Sequence, residues 1–164
     1  MGMRWGATSD MSDTFEASQG NFVISTDPHR LDVDGVYHYL HNEAYWCQGI
    51  PRDVVERSIH NSLCFGVYDG STQVGFARVV SDFATFAYLG DVFILPPYRG
   101  QGLSKWLMKC IMAHPMLQNL RRFQLATKDA HGLYHQYGFT RLAEPARHME
   151  KIVPATILYR QDHG

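Results

Sequence analysis

Apolar residues recur along this chain with two spacings, one typical of β-strands and one typical of α-helices. Short apolar or alternating runs bounded by turn-forming residues predict strands. Apolar residues three or four positions apart predict helices. The predicted strands cover residues 22–26, 64–68, 73–80, 87–95 and 122–126, with two more near 140–142 and 149–153. The predicted helices cover residues 27–40, 52–61, 102–113 and 129–137.

Two segments show neither the strand spacing nor the helix spacing. Residues 1–20 are polar, small and aperiodic, which predicts a disordered arm ahead of a single domain spanning residues 21–164. Residues 42–51 are rich in aromatic side chains and broken by glycine, which predicts a loop between two helices. Asp69 and Gly70 lie between two predicted strands, and this pair of residues predicts a tight hairpin.

The stretch from residue 89 to residue 108 combines a strand, a glycine turn and a helix. Pro96 ends the strand because proline cannot donate a hydrogen bond to a sheet. Gly100 and Gly102 allow a tight turn with exposed backbone N–H groups, and the positive end of the next helix lies at the same place. Such a turn binds anions, most often phosphate.

Two familiar phosphate-binding patterns do not fit this turn. A P-loop requires Ser or Thr after its lysine, but Trp106 follows Lys105, and a dinucleotide-binding fingerprint requires a glycine where Lys105 stands. The turn instead resembles the pyrophosphate loop of the GCN5-related N-acetyltransferases, the GNAT superfamily, whose pattern is Q/R-x-x-G-x-G/A. Arg99, Gly102 and Ser104 occupy its three fixed positions, with Ser104 replacing the usual Gly or Ala.

A second match lies downstream, in the order that the superfamily shows. Residues 130–139 read AHGLYHQYGF and fit the pattern A-x-x-L/I-Y-x-x-x-G-F without a gap. The two motifs and the strands before them cover residues 74–139. The resemblance implies the GNAT fold, a mixed α/β domain with a central, mostly antiparallel sheet that is splayed at the cofactor strand and flanked by helices.

The resemblance also implies a binding site for acetyl-CoA as cosubstrate. In the superfamily the pantetheine arm pairs with the strand before the loop, and backbone N–H groups of the loop bind the pyrophosphate. The implied strand contacts are Val92, Phe93 and Ile94. The implied loop contacts are Arg99, Gly100, Gln101, Gly102, Leu103, Ser104 and Lys105. Thr127 stands where many relatives carry an asparagine that touches pantetheine, and we expect its hydroxyl to take over part of that role.

Tyr134 matches the tyrosine that serves as the general acid in the superfamily. A phenol with a pKa of about 10 can protonate the departing CoA thiolate if it lies next to the sulfur. The alternative is that Tyr134 only packs against the thioester or donates a hydrogen bond to it. His131 and His135 lie on the same predicted helix and are interpreted as surface residues or as supports rather than bases.

The sequence assigns no general base. Some relatives use a carboxylate or a histidine on one face of the strand predicted here at residues 87–95. Tyr88 and Gly90 lie on that face, and neither serves readily as a base. Asp91 is one position out of that phase and points to the other face, unless a β-bulge shifts it. Asp82, at the end of the preceding strand, is the other nearby carboxylate. Either could instead anchor a cationic substrate or satisfy turn backbone, and a chain of water molecules is an equal alternative.

Tyr45 and Trp46 are candidate substrate contacts, because the segment between the first two helices forms one wall of the acceptor site in the superfamily. The alternative for Trp46 is that it caps the core from the loop. Together with Asp82 and Asp91, these aromatic side chains favour a small cationic amine. Polyamines, arylalkylamines, aminoglycosides, amino acids and protein N-termini are all compatible acceptors.

Composition and charge limit the classes of binding partner that we expect. The net charge is −1 without a basic block, so no nucleic-acid partner is expected. No apolar run approaches the roughly 20 residues of a membrane span, and no signal-peptide core is visible, so we expect a cytoplasmic protein without a membrane partner. The three cysteines are widely spaced and fit neither a metal site nor a disulfide framework. A homodimer is compatible with these features.

The sequence thus predicts an acetyl-CoA-dependent N-acetyltransferase. It would transfer the acetyl group to a primary amine of a small molecule by direct attack in a ternary complex. No cysteine lies in either motif, which argues against a covalent acyl-enzyme. A catalytically inactive CoA-binding regulatory or interaction module is the first alternative. Transfer of a longer acyl group, or transfer to a hydroxyl, is the second.

Overall fold

A single six-stranded sheet organises the chain, and the computed structural model describes residues 14–160 of it. The strands lie in sequence order, so each pairs with its neighbours along the chain. All of these pairs are antiparallel except the last, which is parallel. The strands are β1 (Glu16–Gln19), β2 (Phe22–Ser25), β3 (Leu63–Asp69), β4 (Thr72–Ser81), β5 (Phe86–Ile94) and β6 (Arg122–Leu125).

The described residues also form five α-helices. They are α1 (Val33–Asn42), α2 (Arg52–His60), α3 (Leu103–Ala113), α4 (His131–His135) and α5 (Ala155–Leu158). α1 begins at Asp32, whose carboxylate accepts a hydrogen bond from the N–H of Gly35 at 2.9 Å. None of the helices between residues 14 and 160 combines the length and the apolar composition that a membrane-spanning helix needs.

Two buried clusters hold the helices on the sheet. The larger cluster joins β2–β5 to α3, where Leu107 and Ile111 are fully buried. The second joins α1 and α2 to β4 and β5, and Val55 of α2 is fully buried there. The apolar positions that predicted these helices are therefore the ones that dock them, as expected for amphipathic helices.

The central elements confirm the predictions from the sequence. The strands predicted at residues 22–26, 64–68, 73–80, 87–95 and 122–126 correspond to β2–β6, and the four predicted helices correspond to α1–α4. The predicted hairpin between β3 and β4 is also present, with Gly70 at a φ of +60°. The fold is mixed α/β with a mostly antiparallel sheet, as the resemblance implied.

The predicted disordered arm over residues 1–20 is wrong for residues 16–19, which form β1. The preceding Phe15 is held by tertiary contacts, because its N–H donates to Thr26 Oγ1 at 2.9 Å and its ring packs edge-on against Phe65. The short, polar β1 carries little signal of its own, so only its pairing with β2 makes it a strand. Residues 1–13 of the predicted arm lie outside the described residues.

The two strands predicted in the tail are also wrong. Residues 140–142 and 149–153 form neither a strand nor a helix, and the segment between α4 and α5 contains only a short 3-10 turn at Pro145–Arg147. Residues 149–153 form no hydrogen bond with any other described residue. β6 is therefore the last strand of the sheet within residues 14–160.

We expect Phe15→Ala to lower the free energy of unfolding by about 1–3 kcal/mol, because the half-buried ring anchors β1 on the core. Chemical denaturation measures this change. Met116→Ala is the control, since its exposed side chain lies on another element. Equal, near-zero effects of the two substitutions would contradict an ordered β1.

Candidate active site

β5 contains a β-bulge at its centre. Arg78 of β4 pairs with Gly90 of β5, whereas Phe76 pairs with Phe93, so β5 carries one extra residue between these pairs. Asp91 lies in this interval with a left-handed backbone, φ +54°, which aspartate adopts more readily than most residues. A bulge bends its strand and redirects the side chain. From the sequence, Asp91 was expected to point to the other face of the sheet unless a β-bulge shifted it, and this bulge is present.

The Asp91 carboxylate is held by donors from two other elements. The indole N–H of Trp46 donates to Oδ1 at 2.8 Å, and the guanidinium Nε of Arg78 donates to Oδ2 at 2.9 Å. A second guanidinium nitrogen of Arg78 donates to Ser62 Oγ at 3.1 Å. The side chains of Arg78 and Asp91 are only 20% and 11% exposed, so the pair is partly shielded from solvent. We call Arg78, Asp91 and Trp46 the clamp.

β5 and β6 separate just beside the bulge. Their parallel pairing ends at Leu89 and Leu125, one residue before Gly90. The predicted cofactor strand, Val92–Ile94, thus lies beyond the paired part of β6. The side chains of Phe93 and Ile94 are buried, so this stretch offers a ligand its backbone rather than its side chains. This is the splay that the sequence resemblance implied.

The loop after β5 has the geometry of an anion site. Gly100 and Gly102 have φ values of +81° and +78°, and nothing lies within 4 Å of the position that a Cβ would take on either residue. The first helical hydrogen bond of α3 runs from Trp106 N–H to Gly102 C=O. The first N–H groups of α3 therefore have no helical acceptor. They belong to Leu103, Ser104 and Lys105. The loop thus fits a pyrophosphate group.

Arg99 has a different role from the glycines of this loop. Its Nε donates to the C=O of Ile94 at 2.8 Å, and its Nη2 donates to the Tyr39 hydroxyl at 3.1 Å. The ring of Tyr39 stacks on Phe93, with centroids 3.8 Å apart. The Arg99 side chain therefore ties the end of β5 to α1. Gln101, also predicted from the pattern, has its amide near the C=O of Tyr98 at 3.4 Å.

Tyr134 is buried on α4. Burial raises the pKa of its phenol, and the neighbouring Tyr45 and Asp129 raise it further. The hydroxyl therefore keeps its proton at neutral pH, which is the state that a general acid requires. The turn after α4 is also held on α3, because the hydroxyl of Tyr137 donates to the C=O of Lys105 at 2.7 Å.

Thr127 supports the start of α4. Its hydroxyl oxygen accepts a hydrogen bond from the N–H of Ala130 at 3.0 Å, which leaves the hydroxyl proton for another acceptor. Ala130 occupies the N-cap position of this helix, and no side chain caps it. Gly138 ends the turn after the helix with a φ of +87°.

Tyr45 and Trp46 form an exposed aromatic wall on the α1–α2 loop. Their rings meet edge to face with centroids 5.2 Å apart, and they are 58% and 38% exposed. The ammonium of Lys128, one residue beyond Thr127, lies 5.4 Å from the centre of the Tyr45 ring. This contact brings the loop to the end of β6, where the pantetheine contact was predicted.

The tail contributes a residue that the sequence did not reveal. Tyr159, after α5, packs against the α1–α2 cluster, and its carbonyl oxygen would lie 3.1 Å from a Cβ on Gly49. Burial raises the pKa of its phenol, and Cys47 and Asp91 raise it further. No sequence motif indicates that Tyr159 belongs to this site. Arg78 was missed as well, although a charged residue inside an apolar strand signals that a partner is needed.

Asp82 is not brought together with the clamp. Its carboxylate accepts hydrogen bonds within the β4–β5 turn, from the Thr85 hydroxyl at 2.6 Å and from three backbone N–H groups. These hydrogen bonds, of which the one from the Thr85 hydroxyl has the largest effect, hold the pKa of this carboxyl well below its usual range. Asp82 thus satisfies turn backbone, one of the roles considered from the sequence. His131 and His135 are both exposed on α4.

The three cysteines are buried and unbonded. Burial raises the pKa of Cys47, on the loop beside the clamp, to about 12, and that of Cys64 to about 12 as well. The pKa of Cys110 is also raised by burial. Because the thiolate is the nucleophile, these thiols are poor candidates for a covalent acyl-enzyme.

We expect Asp91→Asn to lower the free energy of unfolding by about 1–3 kcal/mol, because Arg78 then lacks its anionic partner in a shielded position. Asparagine tolerates the left-handed backbone, so the substitution isolates the charge from strain. Asp34→Asn is the matched control, since the Asp34–Arg52 ion pair is exposed. Denaturant unfolding that finds equal losses for the two variants would contradict a stabilising clamp.

We also expect the folded protein to resist alkylation by iodoacetamide at pH 8. With a pKa of about 12, only about one thiol in 10⁴ of Cys47 and Cys64 is ionised there. Mass spectrometry should locate label on all three cysteines only after unfolding. Rapid labelling of Cys47 in the native protein would overturn this expectation and reopen the acyl-enzyme route.

Comparison with known proteins agrees with this geometry. Residues 60–141 match the family model described as the acetyltransferase (GNAT) domain. A protein of Gibberella zeae that is named as an acetyltransferase is 33% identical over 139 residues, which cover 71% of this chain and 77% of that protein. Uncharacterized N-acetyltransferases of Porphyra purpurea and Pyropia yezoensis match shorter stretches, at 33% and 35% identity.

Solved structures show the same fold. The crystal structure of a GNAT-family protein from Xanthomonas campestris shares 51% sequence identity and a TM-score of 0.84, covering 88% of this chain and all of that one. A structure from Clostridium acetobutylicum determined with acetyl-CoA has a TM-score of 0.59 at 15% identity, covering 86% of this chain and 99% of that one. The splayed sheet, the glycine loop and the family match lead to one conclusion. This chain belongs to the GNAT family and is an acetyltransferase.

Proposed function

We propose that this enzyme transfers the acetyl group of acetyl-CoA to a primary amine of a small molecule, by direct attack in a ternary complex. One observation carries the proposal. The free amides of α3, the unpaired backbone of β5 and the buried Tyr134 all lie at the end of the sheet where β5 and β6 separate. The C. acetobutylicum structure, which has the same fold, was determined with acetyl-CoA, and this supports the choice of cosubstrate.

The loop and the strand would hold the cosubstrate through backbone groups. N–H groups at Leu103, Ser104 and Lys105 would bind the pyrophosphate, helped by the positive end of α3. Val92–Ile94 would pair with the pantetheine amides through the backbone groups that β4 and Arg99 leave free, as an added strand pairs with a sheet edge. The Thr127 hydroxyl has a proton left to donate to the same arm.

Tyr134 would serve as the general acid. The amine nitrogen attacks the thioester carbon, a C–N bond forms and the C–S bond breaks. Tyr134 then gives its phenolic proton to the sulfur, and the proton lost by the amine restores the phenol through water. The raised pKa of Tyr134 suits this role, because it keeps the donor protonated until the thiolate develops.

The acceptor would enter along Tyr45 and Trp46. Asp91 is an unsuitable base, since both of its oxygens already accept hydrogen bonds and its charge is paired with Arg78. Asp82 is committed to its own turn. We therefore propose that the amine loses its proton to water, and that the acceptor is selected by aromatic contact rather than by these two carboxylates.

Thiol release from acetyl-CoA across a panel of small primary amines tests the proposal. We expect turnover on one class of amine, and Tyr134→Phe should lower kcat about 100-fold or more with little change in the Kd for acetyl-CoA. Tyr37→Phe is the matched control on α1, away from the splay. Tight acetyl-CoA binding without turnover on any amine would favour the inactive CoA-binding module instead.

The pH dependence gives an independent test of the acid. The protonated phenol is the active form, so the loss of activity at alkaline pH should begin only as pH rises through the raised pKa of Tyr134, separately from the loss at lower pH that protonation of the acceptor amine causes. In a plot of kcat against pH, this fall at alkaline pH should be absent from the residual activity of Tyr134→Phe. A fall that stays unchanged in the variant would show that another group donates the proton.

A further inference from the structure

The described strands contain three glycines, Gly66, Gly75 and Gly90, and the first two are required by close packing. A Cβ on Gly66 would overlap the phenol of Tyr68. A Cβ on Gly75 would lie 2.6 Å from Cδ1 of Ile94, which is closer than non-bonded carbon atoms approach. Neither position therefore admits a larger residue unless its neighbours move.

Gly90, in β5, has no such requirement. A Cβ there would lie 3.5 Å from the ring of Tyr88 and 3.8 Å from Nη2 of Arg78, both ordinary contact distances. The left-handed conformation of the bulge falls on Asp91 and not on Gly90. A glycine inside a strand weakens it, because it packs no side chain and loses more backbone entropy on folding. The fold thus gains nothing from this glycine, and the open space above it is available to a ligand.

We call the space over Gly90, bordered by the Tyr88 ring and the Arg78 guanidinium, the notch. The next residue, Asp91, accepts the indole hydrogen bond of Trp46, so the notch adjoins the aromatic wall. Tyr88 and Trp46 are each 38% exposed, which leaves both rings accessible to a ligand. The pairing of β5 with β6 ends one residue before Gly90. The notch therefore lies between the proposed acceptor wall and the proposed cofactor strand.

The guanidinium of Arg78 has an unused donor on the side of the notch. Its Nε donates to Asp91, and its Nη1 donates to Ser62. Nη2 has no acceptor among residues 14–160, and it is the nitrogen that faces the Cβ position of Gly90. A donor in a partly shielded position normally has a partner. Because Asp91 already compensates the charge of Arg78, the group that Nη2 lacks is a hydrogen-bonding oxygen, charged or neutral.

We infer that the acceptor amine also carries an oxygen that accepts a hydrogen bond, and that this oxygen binds Nη2 of Arg78 in the notch. Amino acids and their amides have this chemistry, whereas bare arylalkylamines and polyamines lack it. The inference rests on the proposed function and deepens it by naming the class of acceptor. Gly90 is then a specificity-determining residue, because any side chain there takes the place of the bound oxygen.

Thiol release from acetyl-CoA with matched acceptors tests the class. Each amino acid is compared with its amide and with the amine that has hydrogen in place of the carboxylate, for example phenylalanine, phenylalaninamide and phenethylamine. We expect kcat/KM, expressed per unprotonated amine, to be about tenfold or more higher with the oxygen than without it. The ratio of amino acid to amide shows whether the oxygen is charged. Equal activity on the bare amines would overturn the inference alone, whereas no turnover on any amine would refute the proposed function and the inference with it.

Gly90→Ala tests the notch. We expect the KM for the acceptor to rise about tenfold or more, since one methyl group takes up ligand space, while the Kd for acetyl-CoA stays the same. The midpoint of thermal unfolding should not fall, because the added Cβ meets only ordinary contacts. Gly75→Ala is the matched control for packing and should lower that midpoint. A Gly90→Ala enzyme with an unchanged acceptor KM would contradict the notch as a binding site.

Arg78→Lys tests the donor, because lysine keeps a cation opposite Asp91 but has no Nη2. We expect the preference for an amino acid or its amide over the bare amine to fall towards one. Ser62→Ala is the matched control, since it removes only the partner of Nη1 and should leave the preference unchanged. Damage to the fold alone lowers kcat/KM for all three compounds alike, so an unchanged preference in Arg78→Lys would overturn the inference.

Discussion

The clamp of Arg78, Asp91 and Trp46 is the interaction on which the rest of the site depends. Arg78 places a charge inside the sheet, and Asp91 neutralises it only because the bulge turns its carboxylate towards the α1–α2 loop. Trp46 then ties that loop to the same carboxylate. The clamp thus joins three elements at the point where β5 leaves β6. Left-handed backbone at a non-glycine residue is retained where its surroundings compensate for the strain.

The proposed cofactor side of the site offers backbone dipoles and a neutral phenol rather than free charges. α3 offers unpaired N–H groups, β5 offers unpaired backbone, and burial keeps Tyr134 protonated. The two carboxylates that the sequence suggested for the acceptor are both engaged within the protein. We therefore propose that the aromatic wall of Tyr45 and Trp46 recognises the amine. Preorganised dipoles of this kind stabilise developing charge without reorganising.

Much of the fold and the cofactor loop could be predicted from the sequence, because their signals are local. The periodicity of α3 is the periodicity of its buried face, and Gly100 and Gly102 are required by the backbone angles that they adopt. The parts that escaped prediction depend on distant partners. β1 is a strand because it pairs with β2 and Phe15 meets Thr26, and Tyr159 packs on the α1–α2 cluster because the tail folds back. The two strands predicted in the tail do not form, because strand propensity alone does not supply a neighbouring strand for pairing.

The central claim is that the separation of β5 from β6 and the free amides of α3 together hold acetyl-CoA. Hydrogen–deuterium exchange with and without saturating acetyl-CoA measures this most directly. We predict that the cosubstrate slows exchange at Val92–Ile94 and at Leu103, Ser104 and Lys105, while the amides of β1 and β2 remain unchanged. Bound acetyl-CoA that protects neither stretch, or that protects only other parts of the chain, would contradict the account.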